Sequence, residues 1–556
     1  MTEHAQDRST SHSQQTFATT LSSFLVRNEF LIPLALFALF LALALPGIAW
    51  GAPDRWHPDE IVYIAIRALQ ADYDFDASNF NHPHLPIYIM LGLGKLLLAF
   101  GQTEKEVLIA ARMYSAVLVG LTIVLAYLIP RRMGYNVRIS ALSGMLVFVN
   151  SEMIHNAHFA HNDTSVTFFS TLTILFLVMY KTKVRRGWLY ATFYCAGLAI
   201  SSKYSAVSLA VLPFLVYLWM VRKAITRRPL RVLETLSIGL GLTYLGYATG
   251  TPKALTWMAF YMKRLIPALA YSSNYWVLPD SVRGFIGQYA VLLHGIGLPL
   301  FLLFSLAVVW TVYRIIQSWR SGALKEESNR ILLLLAVLVI DLPMAVSYNY
   351  QIRFFLPLMP LLAILSALFI HDLYVLAKEN RSLRPQWIGL GLALITVVSL
   401  ARVADVMLLF LHDARRPASA FVASLPAGTS IETTFYSPSI AANHFVREHN
   451  YPLFFQKSPD QPLPTNKNYD YNAGEAGLDD RLTDYLVTDS FTTDKFKNPY
   501  TCQAMQVECD FFKQLAAGQS NHYRLIAEFS YSLPPYLPQI QVDFVNPTIR
   551  IYERIP

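Results

Sequence analysis

Two acidic sites carry the first chemical signal in this chain. Asp59 and Glu60 stand side by side in His57-Pro58-Asp59-Glu60, just beyond an apolar run over 30–49. Acidic side chains tethered at a bilayer surface by an apolar anchor are costly to place there without a use. Asp59 has the chemistry of a general base for a hydroxyl proton, and partial desolvation at the interface is expected to raise its pKa towards the working range. The plainer explanation is an acidic pair favouring the dipole of a helix that begins near Ile61. A second acid, Asp163, lies in His155-Asn-Ala-His158-Phe-Ala-His161-Asn162-Asp163, where the chain re-enters an apolar run. Helix capping by Asn162 or Asp163 accounts for one polar residue there, but not for three histidines and an acid.

Histidine is concentrated beside both acids: His57, His82, His84, His155, His158 and His161 fall in the same two polar segments. With Asp59 and Asp163, His161 could hold a divalent cation such as Zn²⁺, whose usual ligands are imidazole and carboxylate. No established ligand spacing is present, so histidines satisfied by interfacial hydrogen bonds are the plainer reading, with a divalent cation as the one candidate cofactor. Two isolated cations complete the set. Lys203 is pinched between apolar runs in Ser201-Ser202-Lys203-Tyr204, and Arg353 precedes the apolar run that starts at Phe354. An anionic lipid phosphate would give such cations a partner; snorkelling to the interface is the alternative for either one alone.

The elements that must position these residues are membrane helices. Of 556 residues, 54% are hydrophobic and only 15% charged, against roughly 25% charged in a soluble domain. The formal charge of +8 does not point to nucleic acid, because the bases cluster in short loops between apolar runs, as topology requires. Apolar runs at 30–49, 107–130, 138–154, 164–180, 188–201, 204–221, 231–250, 285–313, 331–347, 353–376 and 386–411 predict about eleven transmembrane helices. Basic clusters such as Arg131-Arg132, Lys181 to Arg186, Arg222 to Arg231 and Arg314 to Arg330 occupy alternate loops, which places those loops and the N-terminus in the cytoplasm. The parity holds if 85–100 lies at the interface without crossing. Segment 51–106 is then one outer loop with interfacial helices, and 155–163, 202–203, 251–284 and 348–352 face the same side.

The organisation expected is a polar, disordered cytoplasmic tail over 1–28, a transmembrane catalytic part over 29–411, and an extracytoplasmic domain over 412–556. The last segment has no spanning run. Short β-rich stretches at 429–435, 484–487, 524–529 and 548–552, separated by turn formers, predict a small α/β domain. Cys502 and Cys509 lie within it and could pair in an oxidising compartment, whereas Cys195 sits in an apolar run. Walker, GxSxG, HExxH and Rossmann patterns are missing, which removes support for nucleotide hydrolysis and for the common soluble hydrolases.

In its order of motifs the chain resembles the membrane glycosyltransferases of the GT-C fold, most nearly the protein O-mannosyltransferase and lipid A aminoarabinose transferase group. The resemblance rests on His57-Pro58-Asp59-Glu60, on His82-Pro-His84-Leu-Pro-Ile-Tyr88, on Asp163, and on Ser202-Lys203-Tyr204 and Arg353-Phe-Phe-Leu-Pro357. It implies a polyprenyl-phosphate-linked sugar donor, an acceptor hydroxyl on a lipid, glycan or protein, and inversion at the anomeric carbon. Asp59 would be the base, Glu60 would position the acceptor and Asp163 would be the second acid. Lys203 and Arg353 would bind the donor phosphate, with His82, His84 and Tyr204 lining the substrate site. Some relatives use a metal. Asn81-His82 stands where the aminoarabinose transferases carry a glutamate–lysine pair, which counts against their metal site and their sugar. The Trp-Trp-Asp signature of oligosaccharyltransferases is also missing. The reading is therefore a polyprenyl-phosphate-sugar-dependent hexosyl or pentosyl transferase of a bacterial inner membrane, with its active site and C-terminal domain periplasmic. The rival is a transporter or flippase for lipid-linked sugars, which would hold charge near the bilayer midplane on broken helices. Asp341 and His294 are the residues of that kind here.

Overall fold

The computed structural model describes residues 28–54, 56–70, 73–276, 281–345, 351–379, 384–441, 444–448, 474–481 and 483–555. The tail expected over 1–28 lies outside the described residues except for Asn28, and the loop expected over 348–352 is described only at 351–352. The chain divides into two units, one of 1–48 and 59–403 and the other of 49–58 and 404–556.

The larger unit is a bundle of apolar helices, and the protein is an integral, multi-pass membrane protein. Among the described residues seven helices are long and apolar enough to cross a bilayer, or eight if the bent pair Val137–Phe148 and Ser151–Ala157 is one span. A count of eleven is not established. The first apolar run forms only the 14-residue helix Leu31–Ala44, and the run at 188–201 forms the 17-residue helix Arg186–Ser202. The run at 285–313 is not one element. Gly297, at φ +82°, separates the helices Ser281–Ile296 and Leu298–Arg320, and the Arg402 side chain fills the space that a Cβ would need. Arg402 Nη2 then donates to the carbonyls of His294, at 2.5 Å, and Gly295, at 2.8 Å, satisfying acceptors freed by the break. The loop expected over 251–284 contains the 19-residue helix Met258–Trp276.

Local chemistry sets the ends that matter for the site. Thr103 and Glu106 form a capping box at the start of the helix Glu104–Arg132, with the Thr103 N–H donating to Glu106 Oε2 at 3.0 Å. Asn150 caps Ser151–Ala157 by accepting the Glu152 N–H at 3.0 Å, and the chain bends by 59° between this short helix and its predecessor. His161 is the N-cap residue of the helix Asn162–Lys183, so neither Asn162 nor Asp163 takes that place. Helices Arg186–Ser202 and Pro229–Gly250 meet at Gly197 and Gly246. A Cβ on either would come within 2.1 Å of a backbone oxygen of the other helix, the close approach that small residues permit between membrane helices.

The smaller unit is an α/β fold built on a five-stranded sheet of order β2-β1-β3-β5-β4. Its strands are β1 Ser430–Thr433, β2 Phe445–Glu448, β3 Tyr485–Asp489, β4 Tyr523–Phe529 and β5 Ile549–Arg554. β1 pairs in parallel with β2 and β3, while β5 pairs antiparallel with β3 and β4. Side chains alternate across the sheet. Ile431, Val487, Ile549 and Ile551 pack with Ala418 and Val422 of the helix Arg415–Ala423, while Leu486 and Tyr552 pack with Phe511, Phe512 and Leu515 of the helix Gln506–Ala516. Cys502 and Cys509 form a disulfide. Segment 49–58 joins this unit through Arg415, which lies between the rings of Trp50 and Trp56. Arg415 Nη2 meets Asp413 Oδ2 at 2.8 Å, and Asp413 Oδ2 also accepts the Trp50 indole N–H at 2.9 Å. His57 packs on Phe544 in the same unit.

Candidate active site

Backbone and side chain together bring the two acidic segments into register. The Ile61 N–H donates to the Ala160 carbonyl at 3.0 Å, and the Ala160 N–H donates to Glu60 Oε1 at 2.8 Å. Arg112, inside the helix Glu104–Arg132, closes this junction from behind. Its Nε and Nη2 each reach one Glu60 oxygen at 2.8 Å, and Nη1 donates to the Ile48 carbonyl at 3.1 Å. Both side chains are wholly buried, so the charge is retained only because the fork matches the carboxylate and its remaining valences are met. Glu60 is therefore spent on holding the chain. Both oxygens of Glu60, expected from the sequence to position an acceptor, are engaged within the protein.

One residue before Glu60, Asp59 emerges on the open side of the junction. Its Oδ2 accepts from Arg353 Nη2 at 2.6 Å, with the Asp59 side chain 41% exposed and Arg353 13%. Two residues beyond His161, Asp163 occupies the first turn of its helix and is bound by both the Lys203 ammonium and His161 Nδ1, with its side chain only 1% exposed. Lys203 and Arg353 converge on one aromatic ring. Lys203 Nζ stands 4.0 Å from the centroid of Phe354 and the Arg353 guanidinium carbon 5.6 Å from it. Segments more than 290 positions apart thus supply two carboxylate–cation pairs around a single ring.

Electrostatics tie further residues to the group. Burial would raise the Asp59 carboxyl, but the charge and hydrogen bond of Arg353 more than reverse this, helped by His161 and His82, so Asp59 is held below its ordinary value. The expected upward shift is thereby corrected: desolvation is present, and the guanidinium outweighs it. His82 is lowered to about 4, first by burial and then by the nearby His161, Lys203 and Arg353 charges, with Asp59 opposing. It stays neutral at physiological pH and can accept or donate a hydrogen bond there. Burial also lowers His161 and Lys203, in each case against the pull of Asp163.

His84 and Tyr204 belong to a neighbouring group. His84 Nε2 donates to the Asn79 carbonyl at 2.7 Å, and its ring lies among Phe75, Phe80, Tyr88 and Tyr261. Tyr204 packs against the same cluster beside Tyr247. Lys253 fastens this wall by reaching Asp74 Oδ2 at 2.8 Å and Asp76 Oδ1 at 2.7 Å. Sequence reasoning overlooked Arg112, although a charged residue inside an apolar run was itself a signal. It also overlooked Phe354, for which no local signal exists.

The expected metal set of Asp59, Asp163 and His161 does not form. Among the described residues no three His, Cys, Asp or Glu side chains converge as ligands. Asp59 faces Arg353, and Asp163 shares its carboxylate between His161 and Lys203.

With this geometry in place, residues 98–278 match the family model of dolichyl-phosphate-mannose-protein mannosyltransferases. The chain resembles the GT-C membrane glycosyltransferases. The matched region holds Arg112, Asp163 and Lys203, while Asp59, Glu60 and Arg353 lie outside it. No curated protein matches in sequence. Among solved structures, the Archaeoglobus fulgidus oligosaccharyltransferase AglB, in complex with an inhibitory peptide and a dolichol-phosphate, is similar at 10% identity and a TM-score of 0.49, over 94% of this chain and 88% of its own. ArnT from Cupriavidus metallidurans, bound to undecaprenyl phosphate, is similar at 15% identity and 0.46, over 94% and 98%. The S. cerevisiae protein O-mannosyltransferase complex bound to its sugar donor is similar at 19% identity and 0.34, over 41% and 34%. No residue's role follows from likeness at that level.

Proposed function

We propose that this protein is a glycosyltransferase that moves a sugar from a polyprenyl-phosphate-linked donor to an acceptor hydroxyl at the outer face of the membrane. The observation that carries the reading is the convergence of Asp59–Arg353 and Asp163–Lys203 on Phe354. A carboxylate with an exposed edge and two cations with donors to spare are what a single displacement at phosphate-linked carbon needs. Asp59 takes the proton of the acceptor hydroxyl, whose oxygen bonds to the anomeric carbon as the bond from that carbon to the phosphate oxygen breaks. Polyprenyl phosphate leaves with its charge on Lys203 and Arg353, and the sugar inverts. Asp163, enclosed and paired with Lys203, fixes the lysine and does not attack. His82 faces the same group and contacts the sugar.

The placement of the site and of the C-terminal unit outside the cytoplasm, in a bacterial inner membrane, is part of this reading. It draws support from basic clusters in alternate loops and from the Cys502–Cys509 disulfide, which suits an oxidising compartment. The test supplies membranes containing wild type, Asp59→Asn or Asp163→Asn with labelled polyprenyl-phosphate sugars and native acceptors. Label transferred by wild type and lost with Asp59→Asn is the expected result. Transfer by none of them across a broad donor panel would move the reading to transport or binding.

A further inference from the structure

The two cations of the site are held unequally. Lys203 is bound to Asp163, whose side chain is buried, carries a second partner in His161 and sits in the first turn of a helix. Arg353 is bound to Asp59, whose side chain is 41% exposed and lies at the edge of a loop. Arg353 also has unused capacity: its Nε is buried and finds no hydrogen-bond acceptor among the described residues. A buried, unsatisfied donor on a guanidinium is costly unless an anion is to arrive. A phosphate placed between Lys203 and Arg353 would meet that donor and the free hydrogens of the ammonium, but it must compete with Asp59 for the guanidinium fork. Asp163 has no room to turn away, because its side chain is enclosed. Asp59 can give way, by turning towards solvent.

We propose that Arg353 serves two anions in turn, holding Asp59 in the empty site and passing to the donor phosphate on binding, so that Asp59 is released as base only when the donor is present. This rests on the donor class proposed above and adds an order to it. An acceptor hydroxyl meets a free carboxylate only after the donor has seated, which keeps the base masked in the empty site. Arg353 is thus a positioning residue for Asp59 before it is a phosphate ligand.

The test is a titration of the full chain in lipid nanodiscs with a polyprenyl monophosphate, which cannot react. Removing the competing carboxylate in Asp59→Asn is expected to tighten binding about tenfold, the scale of a hydrogen bond between charged groups. Asp59→Ser should do the same, with melting curves confirming that each variant is folded. The decisive arm is a double-mutant cycle. Arg353→Gln weakens binding, and adding Asp59→Asn to it brings no further gain, because the competition acts through the arginine. Equal binding by wild type and both Asp59 variants overturns the proposal. So does an undiminished gain from Asp59→Asn in the Arg353→Gln background, which would mark simple charge repulsion. If the wild type itself does not bind the monophosphate, the donor class falls too, which separates that failure from failure of the shared arginine alone.

Discussion

Glu60 and Asp59 are consecutive acids, each paired with an arginine, and the two pairs have opposite character. Glu60–Arg112 is sealed: two matched hydrogen bonds join the pair away from solvent, the Ala160 N–H adds a third to Glu60, and Arg112 also reaches the Ile48 carbonyl. Asp59–Arg353 is open, with a carboxylate whose side chain is 41% exposed and a guanidinium nitrogen that finds no acceptor among the described residues. The smaller unit repeats the sealed type in Asp413–Arg415, enclosed by Trp50 and Trp56. On the function proposed above, the sealed pairs hold the fold and the open pair does the chemistry. Burial alone does not separate the two kinds, since Asp163 is as enclosed as Glu60 and is distinguished by the partly exposed lysine that it holds.

The sharpest way to break this comparison is to open the sealed pair. Arg112→Met leaves the Glu60 carboxylate buried with only the Ala160 N–H, at a cost of about 3–5 kcal/mol. The expected outcome is a large fall in melting temperature and membrane yield, checked by thermal unfolding in detergent. A variant as stable as wild type would mean that the junction is not closed by this pair. The disulfide gives a smaller effect. Cys502→Ser should lower the stability of the C-terminal unit by about 2 kcal/mol, the scale for a short closed loop. Melting with and without reductant checks it, the wild type losing the same increment when reduced.

The open pair is sharpened by pH. Arg353 holds the folded-state pKa of Asp59 below its unfolded value. Its ionised form therefore contributes stability above an ordinary carboxylate value of about 4, and that contribution is lost as pH falls through the lower folded value. In Arg353→Gln the largest influence opposing burial is gone, so the pKa rises. The acid limb of kcat/KM, which reports the free enzyme, should move up by about 1–3 pH units. An unmoved limb would assign it to another group. The smallest effect is expected at the exposed pair Asp494–Lys497: Lys497→Ala should leave melting unchanged, because exposed ion pairs contribute little.

Residue type and position by themselves made much of the site legible. Asp59, Asp163, Lys203 and Arg353 stood out because charge at the ends of apolar runs is expensive, and all four meet. The four β-rich stretches became β1, β3, β4 and β5, since alternation along a strand is a local property. What stayed hidden depends on distant partners. Nothing near Asp59 announces that an arginine 294 positions away will lower its pKa, and nothing near Asp163 announces that Lys203 will pair with it. Apolar runs also overstate spans where a helix is shorter than its run, as at Leu31–Ala44, or broken within it, as at Gly297.

If the adjacent acids divide between chemistry and structure, as proposed, one paired measurement separates their roles. Wild type, Asp59→Asn and Glu60→Gln are purified, and each is assayed for thermal stability and for sugar transfer from a labelled polyprenyl-phosphate donor. The account predicts that Asp59→Asn melts within a few degrees of wild type while transfer falls by about 10²–10⁴-fold, the usual contribution of a general base. Glu60→Gln should lose stability first and activity only in step with it. An Asp59→Asn variant that transfers sugar at the wild-type rate would contradict the account.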